Sequence, residues 1–399
     1  MQKSSSRVRL VLAPLAAAVV LAAATVPAFA ADVAPALKAA MKRDMNLTDQ
    51  QLGQYMKTQR LATQQATALE TAQGRDFAGL WIERRGDSFH VVSATTKIVP
   101  QKAPAGVEVR NVRHSLASLD AAKAQLDGAR APAGVYGWAV DVRNNAVTVN
   151  VAPGAQKAGI DFVAATGADA ATIRFSTMGD APRLLAKPGG GGGGLKGGSE
   201  YISSPDGVSG YYCSIGFGVT RSGAEGFATA GHCSDGEAGW TTYVAGSKRG
   251  GATRIGSFAG SSFPNNDYAW VALDSGHAVA PIVNGYGAGD VAVNGSGVAA
   301  IGSTVCRSGR TTGWHCGVVQ AYNATVNYPD ATVHGLTHVK VCAEGGDSGG
   351  SFIDGGGQAQ GVLSGGNYSC KGNQAKLANS YFQPIGEILQ SYNLTLKTN

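Results

Sequence analysis

The chain has 399 residues, 44% of them hydrophobic and 15% charged, which is more than one ordinary domain and enough apolar material for two or three cores. That apolar fraction excludes disorder throughout, 57 glycines without a three-residue period exclude collagen, and no run of ~20 apolar residues after residue 30 marks a polytopic membrane protein. The net charge of +6 divides into +3 for residues 1–30, +5 for 31–190 and −2 for 191–399, so the C-terminal half carries no basic footprint for nucleic acid.

Lys3, Arg7 and Arg9 precede an Ala/Val/Leu-rich run from about Leu10 to Ala24, and Ala28-Phe29-Ala30 supplies small residues for a cleavage site. Residues 1–30 therefore read as a signal peptide for secretion; a single membrane anchor is the rival, but the apolar run is short. Residues 31–188 read as mixed α and β. A helical pattern opens at Leu47-Thr48-Asp49 and runs to about Gly74, and Phe77 to Thr95 is strand-like. Ser115 to Leu126 is helical again, and Tyr136 to Val151 alternates apolar and polar residues across Asn144-Asn145 as a hairpin. The glycines at 189–194 form a linker that cannot hold one backbone conformation cheaply. From 195 to 399, short Val/Ile/Thr/Tyr/Phe runs alternate with turn residues, the pattern of an all-β sandwich or barrel, and only Pro384 to Tyr392 looks helical.

All six cysteines (Cys213, Cys233, Cys306, Cys316, Cys342 and Cys370) fall in this second part. In an exported chain they read as three disulfides, with fifteen pairings open, rather than as zinc ligands, since no Cys-x-x-Cys occurs. His334 and His338 have i, i+4 spacing but lack the glutamate of His-Glu-x-x-His and lie in strand-like surroundings, so neither metal nor cofactor is expected. Trp240, Trp270 and Trp314 read as packing residues.

Three segments carry chemistry: Thr229-Ala230-Gly231-His232-Cys233, Asn265-Asn266-Asp267-Tyr268, and Gly345-Gly346-Asp347-Ser348-Gly349-Gly350. A serine hydroxyl needs a base to take its proton, a histidine base needs a carboxylate to fix its tautomer, and the oxyanion needs backbone N–H donors uncrowded by side chains. His232, Asp267 and Ser348 in that order supply base, carboxylate and nucleophile, with Gly346 and Ser348 as N–H donors. Each residue alone has a bland reading, as a histidine beside a structural disulfide, a turn aspartate or a glycine-rich hairpin; the three together in an exported β domain do not.

On these residues and on Cys306-Arg307-Ser308-Gly309-Arg310-Thr311-Thr312-Gly313, Phe77-Ala78-Gly79-Leu80-Trp81 and Gly159-Ile160-Asp161-Phe162-Val163, the chain resembles the alpha-lytic protease and streptogrisin branch of the chymotrypsin-like serine proteases over nearly all of residues 40–399. The resemblance implies two six-stranded antiparallel barrels with the site between them, a C-terminal helix and an α+β pro-region. It also implies disulfides Cys213–Cys233, Cys306–Cys316 and Cys342–Cys370. The pro-region would act as folding catalyst and, with its tail in the cleft, as inhibitor. The mature enzyme would be a monomer acting on protein or peptide substrates. By the same resemblance Ala343, Glu344 and Gly345 face Leu363, Ser364, Gly365 and Gly366 across the substrate. With Ala343 rather than aspartate and Leu363 rather than histidine, the expected pocket takes Leu, Phe, Tyr or Met; selection of Ala or Val is the alternative. The rivals are a catalytically silent binding module and an esterase, the latter lacking its Gly-x-Ser-x-Gly elbow.

Overall fold

Thr48 and Gln51 exchange side-chain and backbone hydrogen bonds in a reciprocal capping box, and a helix starts at the next residue, Asp49, because of it. The computed structural model to which this helix belongs describes residues 33–97, 103–185, 194–207, 209–245, 251–367 and 369–399. The predicted signal peptide and residues 189–193 of the glycine linker lie outside the described residues.

In the first lobe, α1 (Pro35–Met45) and α2 (Asp49–Gln73) precede the hairpin of β1 (Phe77–Arg85) and β2 (Ser88–Thr95), with β3 (Val107–Asn111) parallel to β2. Tyr55 stacks on Phe89 at 4.3 Å and ties α2 to the sheet. The second lobe holds α3 (Leu116–Asp127), capped by Ser115, and the expected hairpin of β4 (Val135–Asp141) and β5 (Ala146–Val151). Asn145 takes the left-handed backbone of its turn. Then come α4 (Gln156–Thr166), β6 (Ile173–Thr177) parallel to β5, and the two-residue β7 (Arg183–Leu184). Both α1 and α4 escape the sequence reading because Ala34 and Ala155 stand at their N-caps and supply no side-chain cap to mark a start.

Seven strands follow: β8 (Glu200–Ser204), β9 (Tyr211–Ser214), β10 (Phe217–Arg221), β11 (Ala224–Thr229), β12 (Thr241–Ala245), β13 (Ala252–Ser262) and β14 (Tyr268–Leu273). β9 and β10 are halves of one bent strand around Ile215-Gly216, so the ladder β10–β11–β14–β13–β12–β8–β9 returns on itself as a six-stranded barrel. The short pair β15 (Ile282–Val283) and β16 (Val291–Ala292) leads on. The second barrel contains β17 (Thr304–Gly309), β18 (Gly313–Asn327), β19 (Thr332–Lys340), β20 (Ser351–Asp354), β21 (Ala359–Asn367) and β22 (Asn379–Pro384). Its order is β17–β20–β21–β22–β19–β18, closed by β18 on β17. A short helix α5 (Gln374–Leu377), not expected from the sequence, precedes β22; α6 (Ile385–Tyr392) is the predicted tail helix, and β23 (Thr395–Leu396) adds to β10.

Residues 33–399 form one compact unit in which the N-terminal lobes grip the barrels. β4 pairs with the far end of β18, Thr325 against Trp138 and Val326 against Gly137. A Cβ at Gly137 would lie 2.2 Å from the Thr325 carbonyl oxygen, so only glycine lets the two strands meet. Beneath this junction Lys123, 1% exposed, pairs with Asp127 at 2.6 Å, and Asp127 also accepts from Thr325 and Trp138. Burial alone would raise the Asp127 carboxyl, but hydrogen bonds involving His334, Lys123 and Thr325 outweigh it and hold the group below the usual carboxylate range. At the other lobe, Asp44 accepts the Cys316 N–H at 2.7 Å and Arg43 donates to the Trp314 carbonyl at 2.6 Å.

Candidate active site

Pairing of β11 with β14 sets Thr229 opposite Ala269, which brings the residues just beyond both strand ends to the same place. His232 sits there in a 3₁₀ turn, Gly231–Ser234, and the neighbouring Cys233 is bonded to Cys213 on β9. Asp267 immediately precedes β14. Ser348 comes from the loop between β19 and β20 in the second barrel, and its carbonyl accepts the Ser214 N–H from the first barrel at 2.7 Å. His232 Nδ1 lies 2.8 Å from Asp267 Oδ2, and His232 Nε2 lies 2.7 Å from Ser348 Oγ. Asp267 Oδ1 also accepts the His232 backbone N–H at 2.9 Å, which fixes the carboxylate in the ring plane. All three residues are buried, His232 being 4% exposed and the other two 0%.

The serine loop is held by groups to which the sequence reading gave no role. Asp347 accepts the backbone N–H groups of Thr311 (2.8 Å), Thr312 (3.1 Å) and Glu344 (2.9 Å), and pairs with the fully buried Arg307 at 3.3 Å. Arg307 in turn donates to the Cys342 carbonyl at 3.0 Å and to Thr312 Oγ1. Gly346, at φ +98°, and Gly349, at φ +78°, make the turn; a Cβ on Gly349 would lie 2.1 Å from Thr229 Oγ1.

The end of the N-terminal segment occupies the cleft. Leu184 and Arg183 on β7 pair antiparallel with Gly365 and Gly366 on β21, and the Gly346 N–H donates to the Leu185 carbonyl. The Leu185 side chain, 3% exposed, is buried in the same apolar cluster as Val341, Ala343 and Leu363. A Cβ on Gly365 would fall 2.5 Å from the Arg183 carbonyl and 2.7 Å from Tyr328, so glycine there admits the added strand. Ser364 hydrogen-bonds Tyr328 at 3.0 Å, and burial, opposed by that bond, pushes the Tyr328 hydroxyl well above its ordinary pKa. Of the predicted substrate residues, Glu344 is turned elsewhere: Oε1 accepts from Ser369 Oγ at 2.5 Å and the Cys370 N–H at 3.1 Å, and the Ser369 bond leads in lowering its pKa. It braces the adjacent loop, and the Gly345 carbonyl likewise points to Thr311 Oγ1 at 2.7 Å.

His315, Cys342 and Cys370 place potential ligand atoms within 4.8 Å of one another, but both sulfurs are committed to a disulfide and offer no thiolate. His334 faces Thr325, His338 faces Asn379 at 2.8 Å, and the two histidines have separate partners. The third disulfide joins Cys306 to Cys316 across β17 and β18.

Residues 114–170 match the model of the alpha-lytic protease prodomain, and residues 209–385 match the trypsin model. Streptogrisin-C from Streptomyces griseus is 39% identical over 95% of this chain and 78% of its own length. The chain belongs to the alpha-lytic protease and streptogrisin family of chymotrypsin-like serine proteases. Streptogrisin-D from the same organism is a second relative, 35% identical over 82% of the chain and 77% of its own length. A solved structure, Thermobifida fusca protease A, is 44% identical over 52% of this chain and all of its own, with a TM-score of 0.45. As a member of this family the chain is a serine endopeptidase with a pro-region.

Proposed function

We propose that the protein is a secreted endopeptidase that hydrolyses peptide bonds after large apolar residues and frees itself by cutting after Leu185. Ser348 Oγ attacks the carbonyl carbon, His232 Nε2 takes its proton and returns it to the leaving amine, and Asp267 holds the Nδ1–H tautomer and stabilises the imidazolium. The oxyanion forms where the Gly346 N–H already donates, and an acyl-enzyme on Ser348 is then hydrolysed by water. The single observation that carries the reading is the seating of Leu185. Its carbonyl accepts from Gly346, Leu184 runs antiparallel to Gly365, and its side chain enters the cluster of Ala343 and Leu363. The small Ala343 leaves room for a leucine side chain, whose burial is worth ~1.5–3 kcal/mol and supports selection of large apolar residues over alanine. The same seating supports inhibition by the pro-region until it is removed. Residues 1–30 direct export, and among the described residues no helix is long and apolar enough to cross a membrane.

The test is mass spectrometry of the secreted wild type and of Ser348→Ala, each incubated with a mixed peptide library. The expected result is a wild-type N-terminus at Ala186 with cuts after Leu, Phe, Tyr and Met, and an unprocessed, inactive mutant. Cuts after Ala and Val would overturn the pocket, and a matured but inactive wild type would leave a binding module.

A further inference from the structure

Asp267 is anchored at its backbone as well as at its carboxylate. Its N–H donates to Gln383 Oε1 at 2.9 Å, and Gln383 Nε2 donates to Glu387 Oε2 at 2.7 Å. Gln383, fully buried, is on β22 opposite Val362 of the substrate strand, and Glu387 lies in the first turn of α6. A glutamine amide fits its site in two orientations, and only one presents oxygen to the Asp267 N–H. Glu387 selects that orientation, because a carboxyl oxygen accepts from Nε2 and a reversed amide would set oxygen against oxygen. Burial raises the Glu387 pKa, yet either protonation state keeps an oxygen for the amide. Further along the helix, Ser391 hydrogen-bonds the Tyr268 hydroxyl at 3.0 Å and Tyr392 meets the Tyr268 ring edge-on at 5.7 Å, so α6 holds Asp267 and the residue after it. Ile385 and Ile388, 2% and 0% exposed, keep the helix against the barrel.

We infer that Gln383 and Glu387 form a positioning pair that carries the placement of α6 to Asp267 and thereby sets the orientation of His232. The inference rests on the proposed roles of Asp267, His232 and Ser348. Loss of the pair lets the Asp267 carboxylate drift from Nδ1, and the imidazolium formed during the reaction is less stabilised.

The test uses the full-length precursor, self-processed, with kcat and KM measured on a Leu peptide substrate. Gln383→Leu is expected to lower kcat by ~10- to 100-fold with KM nearly constant. Gln383→Glu alone should be as poor, since two carboxyls then face each other. Adding Glu387→Gln to that variant gives the new carboxyl a donor while it still accepts the Asp267 N–H, and should recover activity to within about threefold. A Gln383→Leu enzyme with unchanged kcat, or a double swap no better than Gln383→Glu, overturns the pair. If Gln383→Leu fails to fold, the swap still decides. Asp267→Asn runs alongside: full activity in that variant overturns the triad itself, whereas a large loss there combined with a failed swap overturns the pair alone.

Discussion

The proposed function assigns specificity to Ala343 and chemistry to Ser348, and each assignment can be tested by one substitution. Ser348→Ala or His232→Ala should lower kcat by ~10⁶-fold, since the members of such a unit fail together; a loss below tenfold in either, read on a chromogenic peptide, would refute the assignment. Ala343→Met should fill the space that Leu185 occupies. Cleavage after Phe and Leu should then fall by ~100-fold in kcat/KM while cleavage after Ala is kept or gained, measured as a ratio of specificity constants. An unchanged ratio would place the pocket wall elsewhere. At this scale the sequence was informative where a residue type is tied to a reaction: histidine, aspartate and serine in a glycine setting admit few other meanings. It left the partner of Glu344 unread, because a carboxylate beside a pocket looks the same whether it meets substrate or, as here, the Ser369–Cys370 loop.

Strands and loops carry the second level of control. β17 contributes Arg307, whose buried guanidinium neutralises Asp347 and so fixes the loop that offers the Gly346 N–H. Arg307→Met leaves Asp347 as a buried charge without its cation and should destabilise the protein by about 3–5 kcal/mol, as read by denaturant unfolding of the Ser348→Ala background. On β19, His338 stacks on Tyr381, and burial, aided by Lys340 and Arg143 and opposed by the Asn379 hydrogen bond, lowers its pKa to about 4. The folded chain therefore resists a proton that the unfolded chain accepts from about pH 6.5 downward. The histidine's contribution to stability is lost between about pH 6.5 and 4 and is restored as pH rises. Asp354, raised by burial to about 6, has the opposite slope over an overlapping range, so the wild-type curve partly cancels. The difference between wild type and His338→Gln isolates the histidine, and melting temperatures of Ser348→Ala precursors from pH 4 to 7 should converge toward pH 4. A difference that stays constant with pH would remove His338 from the account. Neither Arg307 nor His338 could be given these roles from the sequence, because their partners lie 40 and 41 residues away in the chain. Local pattern, by contrast, was enough for the helix at Thr48, the helix at Ser115 and the hairpin at Asn144-Asn145, whose signals are contained in a few consecutive residues.

The molecule as a whole joins distant parts of the chain. β10 pairs with β23, Val219 against Leu396, and the active site is divided between two barrels, so few contacts form before long loops have closed. Strands N-terminal to the barrels add to the second of them: β4 extends it at β18, and β7 extends it again at β21. Strand pairing between separate segments has no signature in either one, which is why the sequence reading found the hairpin of β4 and β5 but not its pairing with β18. A chain beginning near Gly194 should accordingly fail to reach activity after dilution from denaturant, and should recover it when residues 31–185 are added in trans. Gly137 probes the cause, since a side chain there meets the Thr325 carbonyl at 2.2 Å; its φ of +146° also strains any other residue, so an unchanged helical signal is the necessary control. Gly137→Val in the added pro-region should lower the recovered activity by about tenfold or more at matched concentration, with its helical circular dichroism unchanged. Recovery equal to that with the natural pro-region would mean that the β4–β18 junction is not needed for folding. Spontaneous recovery without any pro-region would mean that the barrels close unaided and that the N-terminal lobes serve only to block the cleft.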